Sequence, residues 1–324
     1  MLIPAIQQYS NSTMLKETAQ TTSHILMVRP ANFGFNEETA ASNAFQTKDE
    51  SLSYAEVSRL ALAEFDAFVD KLRSADVDVI VAEDTNRPLK PDAVFPNNWV
   101  TFHQNGTIVT YPMYASVRRL ERRDDIIRGI QERFRVEQKI QLQEYEDIDQ
   151  YLEGTGSMII DRPNRLVYAC LSPRTHPDLL VRFCKLMGYT AVPFHAVDEE
   201  GLEIYHTNVM MAIGETFVVI CLDTVQSEIE EELLHNKFAE TGKEVIEITL
   251  DQMMNFAGNM LQVRNGKGET FLVMSRQAFD SLDESQIAQI SKHTNILASP
   301  IPTIETYGGG SARCMMAEVF LPEK

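Results

Sequence analysis

The chain is short of most features that mark a nucleic-acid binder, a membrane protein or a disulfide scaffold. It carries 29 lysines and arginines against 47 aspartates and glutamates, a formal net charge of -18 over 324 residues. A surface of that sign repels polyanions, which argues against nucleic acid or an anionic membrane as partner. No uninterrupted apolar run approaches the roughly 20 residues of a transmembrane helix. No basic start leads into a long apolar stretch with a small-residue cleavage site, so secretion is not expected. Only four cysteines are present, Cys170, Cys184, Cys221 and Cys314, and they lie far apart. With no CxxC and no Cys/His ligand spacing, neither a metal nor a redox motif is expected, and no cofactor is implied. Three of the four sit in apolar runs and read as buried free thiols of a reducing compartment, with the cytoplasm as the expected location. Linkers rich in Pro, Gly or Ser are also missing. The reading is one domain over residues 23–324 behind a polar tail, residues 1–22. The sequence says nothing about oligomeric state.

What is present is an ordinary globular composition, 44% hydrophobic and 23% charged, with a returning pattern. Helical periodicity runs through Val57-Leu60-Ala61-Phe65-Phe68-Leu72 and again through Leu120-Ile127-Ile130-Phe134. It recurs at Leu179-Leu180-Phe183-Met187, at Ile229-Leu233-Phe238, and at Phe279-Leu282 with Ile287-Ile290. A strand-like run follows each: Val77–Glu83, Lys139–Glu146, Tyr189–Val197, Lys243–Thr249 and Asn295–Ile301. Hairpins precede several helices, such as Val94–His103 with Thr107–Met113 across Gln104-Asn105-Gly106, and Met260–Arg264 with Thr270–Met274. The unit recurs about every 50–60 residues, five times, as strand-strand-helix-strand. Five similar units suit closure around a central axis better than a capped solenoid. A doubly wound parallel sheet is the plain alternative, but the Asn-Gly hairpins count against it, since that fold joins its strands through helices.

Closure would bring the inner strand ends together. Four segments carry polar groups into apolar surroundings at such ends: Phe95-Pro96-Asn97-Asn98-Trp99, Glu153-Gly154-Thr155-Gly156-Ser157, Tyr205-His206-Thr207-Asn208 and Gly308-Gly309-Gly310-Ser311-Ala312-Arg313-Cys314. Polar groups so placed are paired or functional. The last segment is a glycine-rich turn expected to deliver Cys314 into a buried apolar strand. Arg313 beside it is a cation that would favour the nucleophilic thiolate. Each residue has a blander reading: inert packing for Cys314, a satisfied core histidine for His206, a loop carboxylate for Glu153, turn formers for Asn97 and Asn98. Their joint occurrence, with the cysteine last, favours a cysteine hydrolase.

These four segments together resemble the guanidino-group modifying superfamily of arginine deiminases, dimethylarginine dimethylaminohydrolases and amidinotransferases. The likeness spans His24 to the end, and within the superfamily the chain is most similar to the citrulline utilization hydrolase, or citrulline ureidase, branch. It implies a five-bladed α/β propeller of ββαβ units with pseudo-fivefold symmetry. By the same resemblance Cys314 is the nucleophile, His206 the general acid/base and Glu153 the orienting carboxylate. Covalent catalysis suits a resonance-stabilised ureido or guanidinium carbon, which is a poor electrophile.

Two positions depart from the arginine deiminase pattern. Aspartates that hold a cationic guanidinium there are replaced here by Asn98 and Asn208. A neutral ureido group, with one carbonyl oxygen and nitrogen donors, fits amides better than carboxylates. Citrulline is therefore the expected substrate, cleaved to ornithine, ammonia and carbon dioxide. The alternatives are a guanidine hydrolase acting on arginine, methylated arginine or agmatine, an amidinotransferase, and a catalytically silent amino-acid-binding propeller. An amino-acid carboxylate calls for an arginine fork. Arg118 and Arg174 resemble the carboxylate-binding positions of arginine deiminases, although Arg118 also fits a solvated helix face in its charged run. Arg313 has no clear counterpart there and is assigned either to tuning Cys314 or to substrate binding.

Overall fold

The computed structural model describes residues 19–40, 43–48 and 51–324. Its strands form five separate three-stranded sheets. Four have one construction, in which a hairpin supplies an antiparallel pair and a helix returns the chain to a parallel third strand. The second blade is β3 (Val100–Phe102), β4 (Thr107–Thr110) and β5 (Gln138–Gln141). The third is β6 (Ile159–Asp161), β7 (Leu166–Cys170) and β8 (Thr190–Phe194). The fourth is β9 (Met211–Ile213), β10 (Phe217–Ile220) and β11 (Glu244–Glu247). The fifth is β12 (Leu261–Arg264), β13 (Thr270–Ser275) and β14 (Asn295–Ser299). In the first blade β1 (His24–Arg29) pairs in parallel with β2 (Asp78–Glu83), and its other edge is filled from the far end of the chain by β15 (Ala317–Glu318). That antiparallel pair closes the ring. The inner strands then neighbour one another across blades, β15 beside β3, β6 beside β9, and β9 beside β12. The architecture is the five-bladed α/β propeller expected from the repeat.

The local chemistry explains the elements. Helix Tyr54–Ser74 starts at Ser53, whose hydroxyl accepts from the Glu56 amide while the Glu56 carboxylate accepts from the Ser53 amide, a reciprocal cap. Val57, Ala61, Phe65, Phe68 and Leu72 form its buried stripe. Fully burying each phenylalanine contributes about 1.5–3 kcal/mol. Gly106 closes the β3–β4 hairpin at a positive φ of 79°.

Several boundaries and faces differ from expectation. The run expected as one strand over Lys139–Glu146 leaves the sheet at Gln141 and continues as a 3-10 turn, Gln143–Ile148. Val94–His103 contributes strand only from Val100, because Pro96, which cannot donate to a ladder, opens a 3-10 turn over Pro96–Asn98. On helix Glu228–Glu240, Leu234 and Phe238 face the core, while Ile229 is 81% exposed. The glycine-rich turn expected to deliver Cys314 into a strand runs on past the cysteine, through turns closed by Cys314 N–H to Ser311 O, Met315 N–H to Ala312 O and Met316 N–H to Arg313 O. Cys314 sits in these turns, just before β15.

The polar tail expected over 1–22 lies largely outside the described residues. Its last members are docked: the Gln20 amide donates to Ile160 O and accepts from Arg162 N–H, and Thr22 donates to Val319 O. Among the described residues no helix is long and apolar enough to cross a membrane.

Candidate active site

All five blades send residues to one end of the axis. Asn98 ends the turn before β3, Glu153 opens the short helix Gly154–Ser157 before β6, and His206 and Asn208 precede β9. Asn259 stands just before β12, and Cys314 lies in the turns before β15. All six are at most 4% exposed. A small pocket opens here between Asn98, Arg118, Arg174, His206, Cys314 and Asp92.

Glu153 is wholly buried and fully used. One oxygen accepts from the Tyr114 amide at 2.8 Å; the other meets His206 Nε2 at 2.8 Å and lies 3.6 Å from Arg174 Nη1. Burial alone would raise its pKa, but Arg174 and the His206 hydrogen bond hold the carboxyl down at about 2. For His206 burial dominates and pushes the ring down to about 4, against the pull of Glu153. The imidazole is therefore neutral near pH 7. Its bond to an ionised carboxylate assigns the proton to Nε2 and leaves Nδ1 as the acceptor. The backbone at Gly156 makes room for this ring: a Cβ there would stand 2.8 Å from His206 Nδ1 and 2.3 Å from Asn98 Nδ2.

Cys314 Sγ receives two amide donors, Asn208 Nδ2 and Asn259 Nδ2, each at 3.3 Å. The structure thus brings together Cys314, His206, Glu153, Asn98 and Asn208. Among the buried side-chain atoms without a hydrogen-bond partner are the donor Asn98 Nδ2, in the pocket with Cys314, and the acceptor Asn208 Oδ1, on the side chain whose nitrogen touches Cys314. Asn98, and not Asn97, lines the pocket.

Arg118 and Arg174 both line the pocket and are buried, which removes the solvated-face reading of Arg118. Arg118 forms a two-pronged pair with Glu121 (2.9 Å twice) and donates to Asn98 Oδ1 at 3.0 Å. Burial works against its charge, and Glu121 and Asp92 more than offset that, raising its pKa. Arg174 lies 4.9 Å over the Tyr205 ring and donates to Thr39 O. Arg313 is placed elsewhere. Its guanidinium turns away from the pocket to Met316 O and Glu318, both at 2.8 Å, and lines a second cavity with Gln20 and Thr155. The cation adjacent to Cys314 in sequence is thus committed to Glu318.

Sequence reasoning missed Asp92 and Asn259. Asp92 lines the pocket, accepts from Asn36 Nδ2 at 2.6 Å and keeps Oδ1 unpartnered; burial raises its pKa. A signal for Asn259 was available: it precedes an inner strand, as Asn98 and Asn208 do in their blades.

A family model described as N,N dimethylarginine dimethylhydrolase, eukaryotic, matches residues 29–321. The chain belongs to this family, one of hydrolases acting on carbon–nitrogen bonds, and with it to the guanidino-group modifying superfamily. No curated protein matches. Among solved structures, the N-terminal domain of ArgZ covalently bound to a reaction intermediate is 16% identical with a TM-score of 0.72, over 92% of this chain and 98% of that one. Unliganded AgrE is 16% identical with a TM-score of 0.72, over 93% of this chain and 40% of that one. A dimethylarginine dimethylaminohydrolase carrying an S-methyl-L-thiocitrulline adduct is 15% identical with a TM-score of 0.60, over 91% and 98%. At these identities the likeness is one of fold.

Proposed function

We propose that the protein hydrolyses the ureido group of citrulline through a covalent adduct on Cys314, giving ornithine, ammonia and carbon dioxide. The observation that carries this reading is the set of neutral amides around the sulfur. Asn98 Nδ2, in the pocket with Cys314, is a free donor, and Asn208 Oδ1, on the side chain whose nitrogen touches the sulfur, is a free acceptor. A ureido group offers one carbonyl oxygen to the first and N–H groups to the second. Amides also contact the sulfur itself. A guanidinium at that place would meet these two amides without a charge-assisted bond from either.

In this mechanism the substrate carboxylate meets Arg118 and Arg174. His206 Nδ1 takes the thiol proton as the sulfur attacks the ureido carbon. The bond from that carbon to the δ-nitrogen breaks, the proton passes from His206 to that nitrogen, and ornithine leaves. A carbamoyl thioester remains on Cys314. Water then attacks it, giving its proton to His206 and finally to the sulfur, and the released carbamate decays to ammonia and carbon dioxide. Proton transfer of this kind contributes on the order of 10²–10⁴-fold. Glu153 holds the ring in the required tautomer.

The second reading is a guanidine hydrolase acting on arginine or methylated arginine. It is favoured by the family and by ArgZ, named an arginine dihydrolase. The unpartnered oxygen of Asp92 offers such a substrate one carboxylate contact. Release of ornithine and ammonia from citrulline, measured beside arginine and methylated arginines with wild type and Cys314→Ala, separates the two. Faster turnover of citrulline, lost in the variant, supports the first reading; arginine turned over at least as fast overturns it in favour of the second.

A further inference from the structure

We infer that Asn259, supplied by the fifth blade, is a catalytic residue that stabilises the negative charge on Cys314 sulfur. The inference rests on Cys314 being the nucleophile.

Among the described residues, the cations that could stabilise a thiolate here are engaged elsewhere. His206 is neutral and its Nε2 proton is committed to Glu153. Arg313 is committed to Glu318. The titratable groups lining the pocket are Asp92, Arg118, Arg174, Tyr205 and His206, and the two arginines are drawn toward Glu121 and Glu153. Two amide nitrogens touch the sulfur, Asn208 Nδ2 and Asn259 Nδ2, at 3.3 Å each, and the thiol's own contact as a donor is a longer one, 3.7 Å to Asn259 Oδ1. Two N–H donors on one sulfur favour the anion, because a hydrogen bond to the charged form lowers its energy relative to the neutral one.

The orientation of Asn259 is fixed independently of the sulfur. Its Oδ1 accepts the backbone N–H of Arg313 at 3.0 Å, which assigns the other amide atom, the one nearer the sulfur, as the nitrogen. That nitrogen also donates to Asn208 O at 2.9 Å. The preceding Gly258 lets this segment press on the fourth blade, where a Cβ would stand 2.2 Å from Val209 O. One side chain thus ties the nucleophile turn, the Asn208 segment and the sulfur together, and its donor is preorganised for the charge formed when His206 removes the thiol proton.

The test is the pH dependence of Cys314 alkylation by iodoacetamide, followed by mass of the Cys314 peptide, in wild type, Asn259→Asp and Asn259→Ala. The aspartate keeps an acceptor for Arg313 N–H, which preserves the turn, and removes the donor. The midpoint of the alkylation profile is expected to rise by about one unit or more in Asn259→Asp and by less in Asn259→Ala, with kcat falling on the order of 10²-fold and KM little changed. A midpoint identical to wild type in folded Asn259→Asp overturns the inference. Alkylation needs no substrate, so this outcome is distinct from failure of the citrulline reading, which shows only in the substrate comparison.

Discussion

A neutral amide in contact with a nucleophile selects substrates by what it refuses as well as by what it accepts. The free acceptor Asn208 Oδ1 sits on the residue whose nitrogen touches Cys314. Exchanging that amide for a carboxylate adds a charge-assisted partner for a guanidinium and removes a donor from the sulfur. Asn208→Asp is therefore expected to lower turnover of citrulline and to raise the arginine-to-citrulline ratio of kcat/KM by about 10–100-fold, since hydrogen bonds to charged groups are worth about 1.5–3 kcal/mol. An unchanged ratio would mean that the amide does not read the substrate. The buried His206–Glu153 pair makes a second prediction, on stability. With His206 held at about 4 when folded, against 6.5 for the free group, the unfolded chain binds a proton between these pH values that the folded protein refuses. Stability therefore falls as pH drops from about 6.5 to 4, by on the order of 3 kcal/mol. Glu153, at about 2 against 4.5, extends the loss from pH 4.5 downward. Urea midpoints measured across this range should show the decline in wild type and a flatter profile between pH 6.5 and 4 in His206→Gln. Parallel profiles would show that the ring is not buried neutral.

At the scale of the element, two glycines with opposite surroundings separate function from propensity. Gly156 lies where a Cβ would meet Asn98 and the His206 ring at 2.3 and 2.8 Å, whereas nothing lies within 4 Å of a Cβ at Gly129, inside helix Asp124–Arg133. Gly156→Ala is expected to displace the His206 ring and, with His206 as the proposed acid/base, to reduce kcat at least about 10²-fold, as a misplacement of about 1 Å does. Gly129→Ala should leave kcat unchanged and stabilise the protein by about 0.5–1 kcal/mol, read as a higher urea midpoint. The same scale shows what the sequence made legible. The helices and the parallel strand after each were readable because their apolar periodicity is strong. Of the inner strands β12 was read as Met260–Arg264, whereas β3, β6 and β9 have three residues each, too few to show a period, and their flanking turns are set by tertiary contacts. Cys314, His206 and Glu153 were readable as motif residues. Asn259 was missed although it precedes an inner strand as Asn98 and Asn208 do, because Phe256-Ala257-Gly258-Asn259 carries no charged or nucleophilic group to draw attention to it. The direction of Arg313 could not be read either, because it depends on Glu318, a residue that acquires meaning only once β15 folds back on β1.

For the whole molecule, that return is what turns five blades into a ring, and it couples closure to the active site. β15 fills the edge of β1, Val319 N–H donates to His24 O, and Val319 bridges to Phe102 of the second blade. The turn bearing Cys314 immediately precedes this strand, and Arg313 spans the two through its buried bond to Glu318. A closed ring has no free sheet edge along this seam, so the seam resists local opening only as long as its buried charges are matched. Removing one partner of a buried ion pair strands the other, at a cost of about 3–5 kcal/mol, whereas replacing both by apolar groups of similar volume is often close to neutral. Glu318→Ala is therefore expected to destabilise the protein by several kcal/mol in urea unfolding and to speed hydrogen exchange in β1 and β15 together. The double variant Arg313→Met with Glu318→Leu should recover most of that stability. Because neither side chain reaches the pocket, the double variant should also recover turnover. Recovery of stability without turnover would show instead that the Arg313–Glu318 bond sets the position of Cys314, and exchange unchanged in β1 would show that the seam does not depend on the pair.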